Sequence, residues 1–225
     1  MGRLAFRSEP FMKTSPPRRL HIMFAKRPDP GRVKTRLGRE IGMEAAANFY
    51  RRALDLLIDR FASAEGFAFH LHVDPPDAIA WFEERYQIMR GRVRAQQPEP
   101  DLGDRMAASF AMAFAEGFER VALTCSDCPE LETAHIREAL DGLDAADASF
   151  GPATDGGYYL VAWKRLAPEL FANMAWSRAD VLARTRDRAQ AAGLKLWLGR
   201  PLTDCDSAED LEKLEPGLKR RLLGE

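Results

Sequence analysis

Cysteine is scarce in this chain: Cys125, Cys128 and Cys205 are the only three in 225 residues. An odd, low count excludes a disulfide-stapled scaffold. With no export signal at the start, it leads to the expectation of a reducing, cytoplasmic setting. No apolar run approaches the roughly 20 residues of a membrane-spanning helix. Charge of either sign is not in excess: 33 Lys and Arg face 34 Asp and Glu, a net of −1. Broad nucleic-acid binding normally shows as a surplus of Lys and Arg, so no nucleic-acid partner is expected. Repeats and low-complexity blocks are missing too. Residues 1–19 carry Arg3, Arg7, Glu9, Lys13 and Ser15-Pro16-Pro17 but no apolar core of a signal peptide, and read as a flexible extension.

What is present suits a globular protein. Hydrophobic residues make up 46% and charged residues 30%, and the length accommodates one large α/β domain. Apolar patterning alternates between strand and helix periods. Strands are expected at Leu20–Ala25, Phe67–Val73, Val93–Gln97, Val121–Thr124, Ala148–Gly151, Tyr158–Trp163 and Leu194–Leu198. Helices are expected at Glu40–Ala62, Ala78–Tyr86, Leu102–Glu116, Thr133–Leu140, Arg178–Ala192 and Ala208–Leu214. In the first helix, Phe49, Ala53, Leu56, Leu57 and Phe61 recur at helical spacing. Such alternation predicts a mainly parallel sheet covered on both faces, with ligands at the carboxyl ends of its strands.

Charge that is balanced globally is not balanced locally. Phe24–Leu37, just past the first strand, sets Lys26, Arg27, Arg32, Lys34 and Arg36 against one acid, Asp29, a net of +4. A Pro- and Gly-punctuated cationic loop after a first strand is a usual phosphate site in α/β proteins. It is not a Walker A loop, because Val33 stands where the glycine before Lys34 would be. The competing reading is a solvated basic surface.

Three further stretches carry candidate chemistry. Asp127 follows a buried strand and precedes Pro129 and a helix; it suits a divalent metal, held as Mg²⁺ is by one or two carboxylates plus phosphates and water, or equally a helix cap. Gly151–Leu160 contains Asp155-Gly156-Gly157. The glycines allow close ligand approach and Asp155 can orient an acceptor hydroxyl or act as a base, while Asp-Gly is also a hairpin turn signal. In Leu202–Leu211, Asp204 and Asp206 alternate as on a strand end, so at most one should face a metal. Ser207 or Asp206 caps the next helix, with Glu209 and Asp210 favouring its dipole. Cys125 and Cys128 have C-x-x-C spacing. Zinc would need more ligands than lie nearby, and small residues at a strand end are preferred over a redox pair.

In this order the motifs resemble the nucleotide-diphospho-sugar transferase superfamily of GT-A-like fold. More closely, the chain resembles the DUF2064 group, described as glycosyltransferases and as transferase 1 of the radical-SAM/selenodomain-associated set. The resemblance spans roughly Leu20 to Leu214. It rests on Phe24-Ala-Lys26, Pro30–Leu37, Leu102-Gly-Asp-Arg-Met106, Asp127-Cys-Pro129, Gly151-Pro-Ala153, Asp155–Tyr158 and Trp176-Ser177. It implies a single three-layer α/β/α domain over residues 20–225, a mostly parallel sheet and a bound Mg²⁺ or Mn²⁺. Asp127 and Asp206 match the metal-binding acids, and Lys26, Arg32, Lys34 and Arg36 the phosphate-facing loop. Gly156 and Gly157 would line the donor, with Asp127, Asp155 and Lys34 catalytic. The chain departs from the pattern at Cys125-Ser126, where Gly-Thr is usual, at Pro98–Asp101, where glycines are usual, and at Arg178, where Thr is usual.

The resemblance implies glycosyl transfer from a nucleotide-sugar to a small acceptor. The loop suits a second activity, nucleotidyl transfer from an NTP, because a pyrophosphate leaving group draws on several cations. Lys34-Thr-Arg-Leu37 is also similar to the Lys-Ser-Arg-Leu of phospholactate guanylyltransferases, and Ser126-Asp127-Cys128 lacks the Asp-x-Asp pair of metal-dependent GT-A enzymes. A catalytically silent nucleotide-binding module is the third reading.

Overall fold

The computed structural model describes residues 18–225. The extension expected over residues 1–19 falls, up to residue 17, outside the described residues. Seven strands are present among the described residues: β1 (Arg19–Lys26), β2 (Ala68–Asp74), β3 (Val93–Ala95), β4 (Arg120–Cys125), β5 (Ala148–Pro152), β6 (Tyr158–Trp163) and β7 (Leu196–Leu198). They form one sheet in the order β3-β2-β1-β4-β6-β5-β7. All neighbours are parallel except β6, which runs antiparallel to both β4 and β5. The reversal has a local cause. Residues 153–157 between β5 and β6 are too few for a crossover, which takes a dozen or more, so the chain must return as a hairpin.

Helices cover both faces, and β1 shows how the sequence assigns them. Its alternate side chains part: Met23 and Ala25 join one buried cluster with Tyr50, Leu54, Leu57 and Phe61 of α2 (Met43–Ala62) and Ile136 and Leu140 of α5 (Thr133–Gly142). Leu20, Ile22 and Phe24 join the other, with Met106 and Phe110 of α4 (Leu102–Ala115) and Ala189 of α6 (Val181–Ala191). A period of two on a strand makes this division unavoidable. α3 (Ile79–Arg85) places Phe82 in the first cluster.

The long first helix differs from expectation. It is split into α1 (Thr35–Ile41) and α2 by Gly42, whose φ of 93° lies where side-chain-bearing residues are strained. Nor do its spaced apolar residues share one face. Leu57 and Phe61 meet the sheet, whereas Phe49, Ala53 and Leu56 pack with Cys205, with Leu211 of α7 (Ala208–Lys213) and with Leu222 of α8 (Pro216–Leu223). α8 was not expected. It starts at Pro216, with Glu215 accepting from the Gly217 and Leu218 N–H groups, and its burial of α2's outer side explains why that helix is apolar on two sides.

Candidate functional site

The carboxyl ends of β1 and β4 open into a cleft of about 540 Å³, lined by Lys26, Arg32, Lys34, Arg36, Gln96, Arg105, Ser126, Asp127 and Asp206, among others. A second cavity of about 300 Å³ adjoins it and shares Arg36, Leu102, Asp127 and Asp206.

The loop after β1 is shaped by short backbone bonds, Asp29 N–H to Arg27 carbonyl and Arg32 N–H to Asp29 carbonyl, and by Gly31 at φ 76°. Arg27 turns away from the cleft and is neutralised by Asp29 at 2.8 Å and Asp77 at 3.4 Å. Of the five cations counted in the sequence, four therefore remain for the cleft. Lys26, Arg32 and Arg36 are exposed and have no ion-pair partner within 4.0 Å among the described residues.

Lys34 behaves differently. Its side chain is only 3% exposed and its ammonium sits between two carboxylates, 2.5 Å from Asp127 and 2.8 Å from Asp206. Burial alone would strip its charge, but the two acids outweigh burial and push its pKa above the usual lysine value. Lys34 is also the N-cap of α1, in the left-handed region at φ 45°. A non-glycine there costs on the order of 1 kcal/mol or more, and such strain persists where surrounding structure imposes it.

The alternatives for Asp127 and Asp206 part here. Asp127 caps nothing: α5 starts six residues on, with Glu132 and His135 forming its capping box. Asp206 is likewise released, because Ser207 caps α7 in a reciprocal pair with Asp210. Asp204 corrects the expectation that only one of the two alternating acids faces the site. Residues 203–206 form no strand, so alternation does not apply, and Asp204 lines the second cavity beside Asp127, Asp155 and Asp206. One of its carboxylate oxygens is buried without a partner. Burial, then repulsion from Asp127, raises its pKa to about 7 against the pull of Lys34.

Among the described residues no three His, Cys, Asp or Glu side chains are set to hold a metal ion. The Lys34 ammonium lies between Asp127 and Asp206. The donor set nevertheless fits a hard divalent cation. Asp127 and Asp206 already converge on one positive centre, the one or two carboxylates Mg²⁺ takes beside phosphate and water, and Asp204 holds an unpartnered oxygen nearby.

Asp155 and the glycines separate. Asp155 is exposed, lines the second cavity and accepts the Gly157 N–H at 2.9 Å, so it closes the hairpin turn and still faces the site. Gly157 lines the same cavity. Gly156 lines neither cavity, which corrects its donor-binding assignment. A Cβ there would stand 2.0 Å from the Ala179 carbonyl, so this glycine lets the 177–180 segment seat against the hairpin. The cysteines have the surroundings of packed thiols. All three are free thiols, Cys128 donates to the Thr203 carbonyl, and burial pushes Cys125, Cys128 and Cys205 up, the last to about 12.

Several cleft residues were not singled out in the sequence. The Tyr50 hydroxyl accepts the Lys26 N–H at 3.0 Å and bonds Ser126 at 2.7 Å, tying β1 to the turn after β4. Asp101 caps α4 through the Gly103 N–H and also accepts from Trp176 at 3.0 Å, clasping the loop that carries Ser177 at φ 60° over the cleft. Arg105 did lie within the Leu102–Met106 motif, the one signal that marked it.

Residues 57–178 match the family model described as "Uncharacterized protein conserved in bacteria (DUF2064)". The chain belongs to the DUF2064 family. It is similar to a Desulfovibrio desulfuricans G20 protein, whose crystal structure is described as a candidate nucleotide-diphospho-sugar transferase, at 33% identity over 88% of this chain and 87% of that one, with a TM-score of 0.80. The fold is shared with the inositol-1-phosphate CTP transferase of T. maritima, at 14% identity, 93% and 96% coverage and a TM-score of 0.54. It is shared too with a Mycobacterium tuberculosis H37Rv protein in complex with manganese, at 12% identity, 88% and 97% coverage and a TM-score of 0.52. Among curated proteins there is no match. The family match covers Asp127 and Asp155 but neither the cationic loop nor Asp206, which rest on geometry alone.

Proposed function

We propose that this DUF2064 protein is a metal-assisted transferase that takes a group from a nucleotide-activated donor, a nucleoside diphospho-sugar, and passes it to a small acceptor. The observation that carries this reading is the juxtaposition at one sheet edge of unpaired cations with Asp127 and Asp206 around a single positive centre. The 33% relative described as a candidate nucleotide-diphospho-sugar transferase supports the donor class, and the manganese complex of a protein of the same fold is consistent with the metal.

Asp127 and Asp206 would hold Mg²⁺ or Mn²⁺, which when bound acts as a Lewis acid and template on the donor phosphates. Lys26, Arg32 and Arg36 carry the donor's phosphate charge and oppose the charge that grows on the departing phosphate. Lys34 leaves its two carboxylates to join them. Asp155 and the smaller, half-apolar cavity with Met106, Tyr158 and Trp176 receive the acceptor and orient its hydroxyl.

A second reading, nucleotidyl transfer, is favoured by one observation. Three loop cations, unpaired among the described residues, and the Lys34 ammonium exceed what a diphosphate requires and suit a triphosphate that loses pyrophosphate. Incubation with Mg²⁺ or Mn²⁺, a panel of nucleotide-sugars and each NTP separates the two. Nucleoside diphosphate released from a nucleotide-sugar supports glycosyl transfer, pyrophosphate released from an NTP supports nucleotidyl transfer, and neither nucleotide binding nor release rejects both.

A further inference from the structure

The cleft has a flank that phosphate binding leaves unused. Gln96 follows β3, continues its ladder through an N–H bond to the Val73 carbonyl and is only 7% exposed. Its side-chain amide can point only one way. The nitrogen faces two backbone carbonyls, His72 at 3.1 Å and Ala25 at 3.4 Å, so both its donors are spent and its oxygen is turned to Arg105 Nη1 at 3.1 Å. Arg105, on the first turns of α4, has no carboxylate within 4.0 Å among the described residues. The nearby Asp101 is occupied by Gly103, Asp104 and Trp176. The Arg105 Nε is buried without a partner.

A buried neutral amide that fixes a guanidinium in place supplies orientation, not charge. A phosphate clamp needs charge, whereas a planar group with paired acceptors needs a fork held at a set angle. Phe24 and Leu102 line the same cleft and offer apolar surface for such a plane. The Arg105 guanidinium presents only donors, so it fits an edge with two adjacent acceptors. Guanine has one in O6 and N7, and cytosine has one in O2 and N3. Adenine sets an amino donor beside N7, and uracil puts an N–H between its two oxygens.

We propose that Arg105, held by Gln96, reads the base of the donor and selects guanine or cytosine over adenine and uracil. This rests on the nucleotide-donor reading above. Arg105 is here a specificity residue that touches the donor base.

Calorimetric titration of the full-length protein with GTP, CTP, ATP and UTP in Mg²⁺ tests it. Wild type should bind GTP or CTP about ten- to a hundredfold more tightly than ATP and UTP, the range of a bidentate base contact. The GTP and CTP arms decide which of the two bases is taken. Arg105→Met should bring the four affinities together. Arg105→Lys, which keeps the charge and loses the fork, should do the same with triphosphate affinity retained, and it serves if the Met variant does not fold. Equal wild-type affinity for all four, or an equal loss across all four in Arg105→Met, would overturn the proposal and make Arg105 another phosphate cation while leaving the donor reading intact. No binding of any nucleotide would remove both.

Discussion

Two sets of carboxylates in this protein do opposite things with the same chemistry. Asp101, Asp210 and Glu215 spend their oxygens on N–H groups at the starts of α4, α7 and α8. The Gly217 and Leu218 N–H groups hold the Glu215 carboxyl below the usual range. Asp127 and Asp206 instead close on one lysine, and Asp204 beside them keeps an oxygen buried without a partner. An acid satisfied by a helix end contributes to the fold. Burial and the Asp127 charge raise the Asp204 pKa, the mark of an acid whose charge the fold leaves uncompensated.

The comparison breaks most sharply at Asp127. Asp127→Asn should lower metal-dependent turnover at least about a hundredfold, as expected when a metal ligand or charge-stabilising group is lost. The thermal midpoint should fall, because the buried Lys34 ammonium keeps only Asp206 as a partner, but the protein should still fold; unchanged metal-dependent turnover in the folded variant would take Asp127 out of the site.

Lys34→Met sharpens the comparison from the other side. Removing the ammonium should weaken donor affinity roughly tenfold, about the 1.4 kcal/mol of one charge-assisted contact. It should also raise Mn²⁺ affinity of the nucleotide-free protein, since the cation no longer competes with Nζ for Asp127 and Asp206. Titration of Mn²⁺ followed by electron paramagnetic resonance reads this directly, and unchanged Mn²⁺ binding would separate Lys34 from the metal position.

Asp204 gives a pH signature. Its folded pKa, about 7, lies above its ordinary value of 3.8. Between those values the folded state holds a proton that the unfolded state has lost, so stability falls as pH rises from about 4 to 7. In metal-free protein Asp204→Asn should therefore stabilise by on the order of 2 kcal/mol at pH 8 and by much less near pH 4. Denaturant melts at both pH values measure it; a gain independent of pH would contradict the crowding.

The smallest effect belongs to the capping set. Asp210→Ala should cost about 1 kcal/mol of stability, as loss of a helix cap does, and leave donor affinity unchanged. A marked loss of donor affinity in a folded protein would blur the two sets.

Much of the site was legible before the fold. The loop cations stood out because five positive charges beside one acid are rare in a neutral chain, and Asp127 because it follows a buried apolar run. Structure then removed Arg27, which found Asp29 and Asp77, and Gly156, which gave its space to Ala179. Asp204 was misassigned because a period of two was applied where no strand exists. Gln96 and Arg105 had no local sign of partnership; they meet because α4 begins just beyond the end of β3. The apolar second side of α2 and the split at Gly42 were similarly hidden, since local periodicity does not say how many neighbours a helix has.

The sequence by itself determined the alternation of strands and helices, the two faces of β1, the cationic loop and the acids at strand ends. Each of these is written in the spacing of neighbouring residues, and spacing is a local property. Only the tertiary structure decided that Lys34 and not open space lies between Asp127 and Asp206, and which loop cations stay unpaired among the described residues. Those outcomes depend on residues up to 172 positions apart meeting at one edge of the sheet. A buried charge takes whatever partner packing brings within reach, and no pattern along the chain encodes that distance.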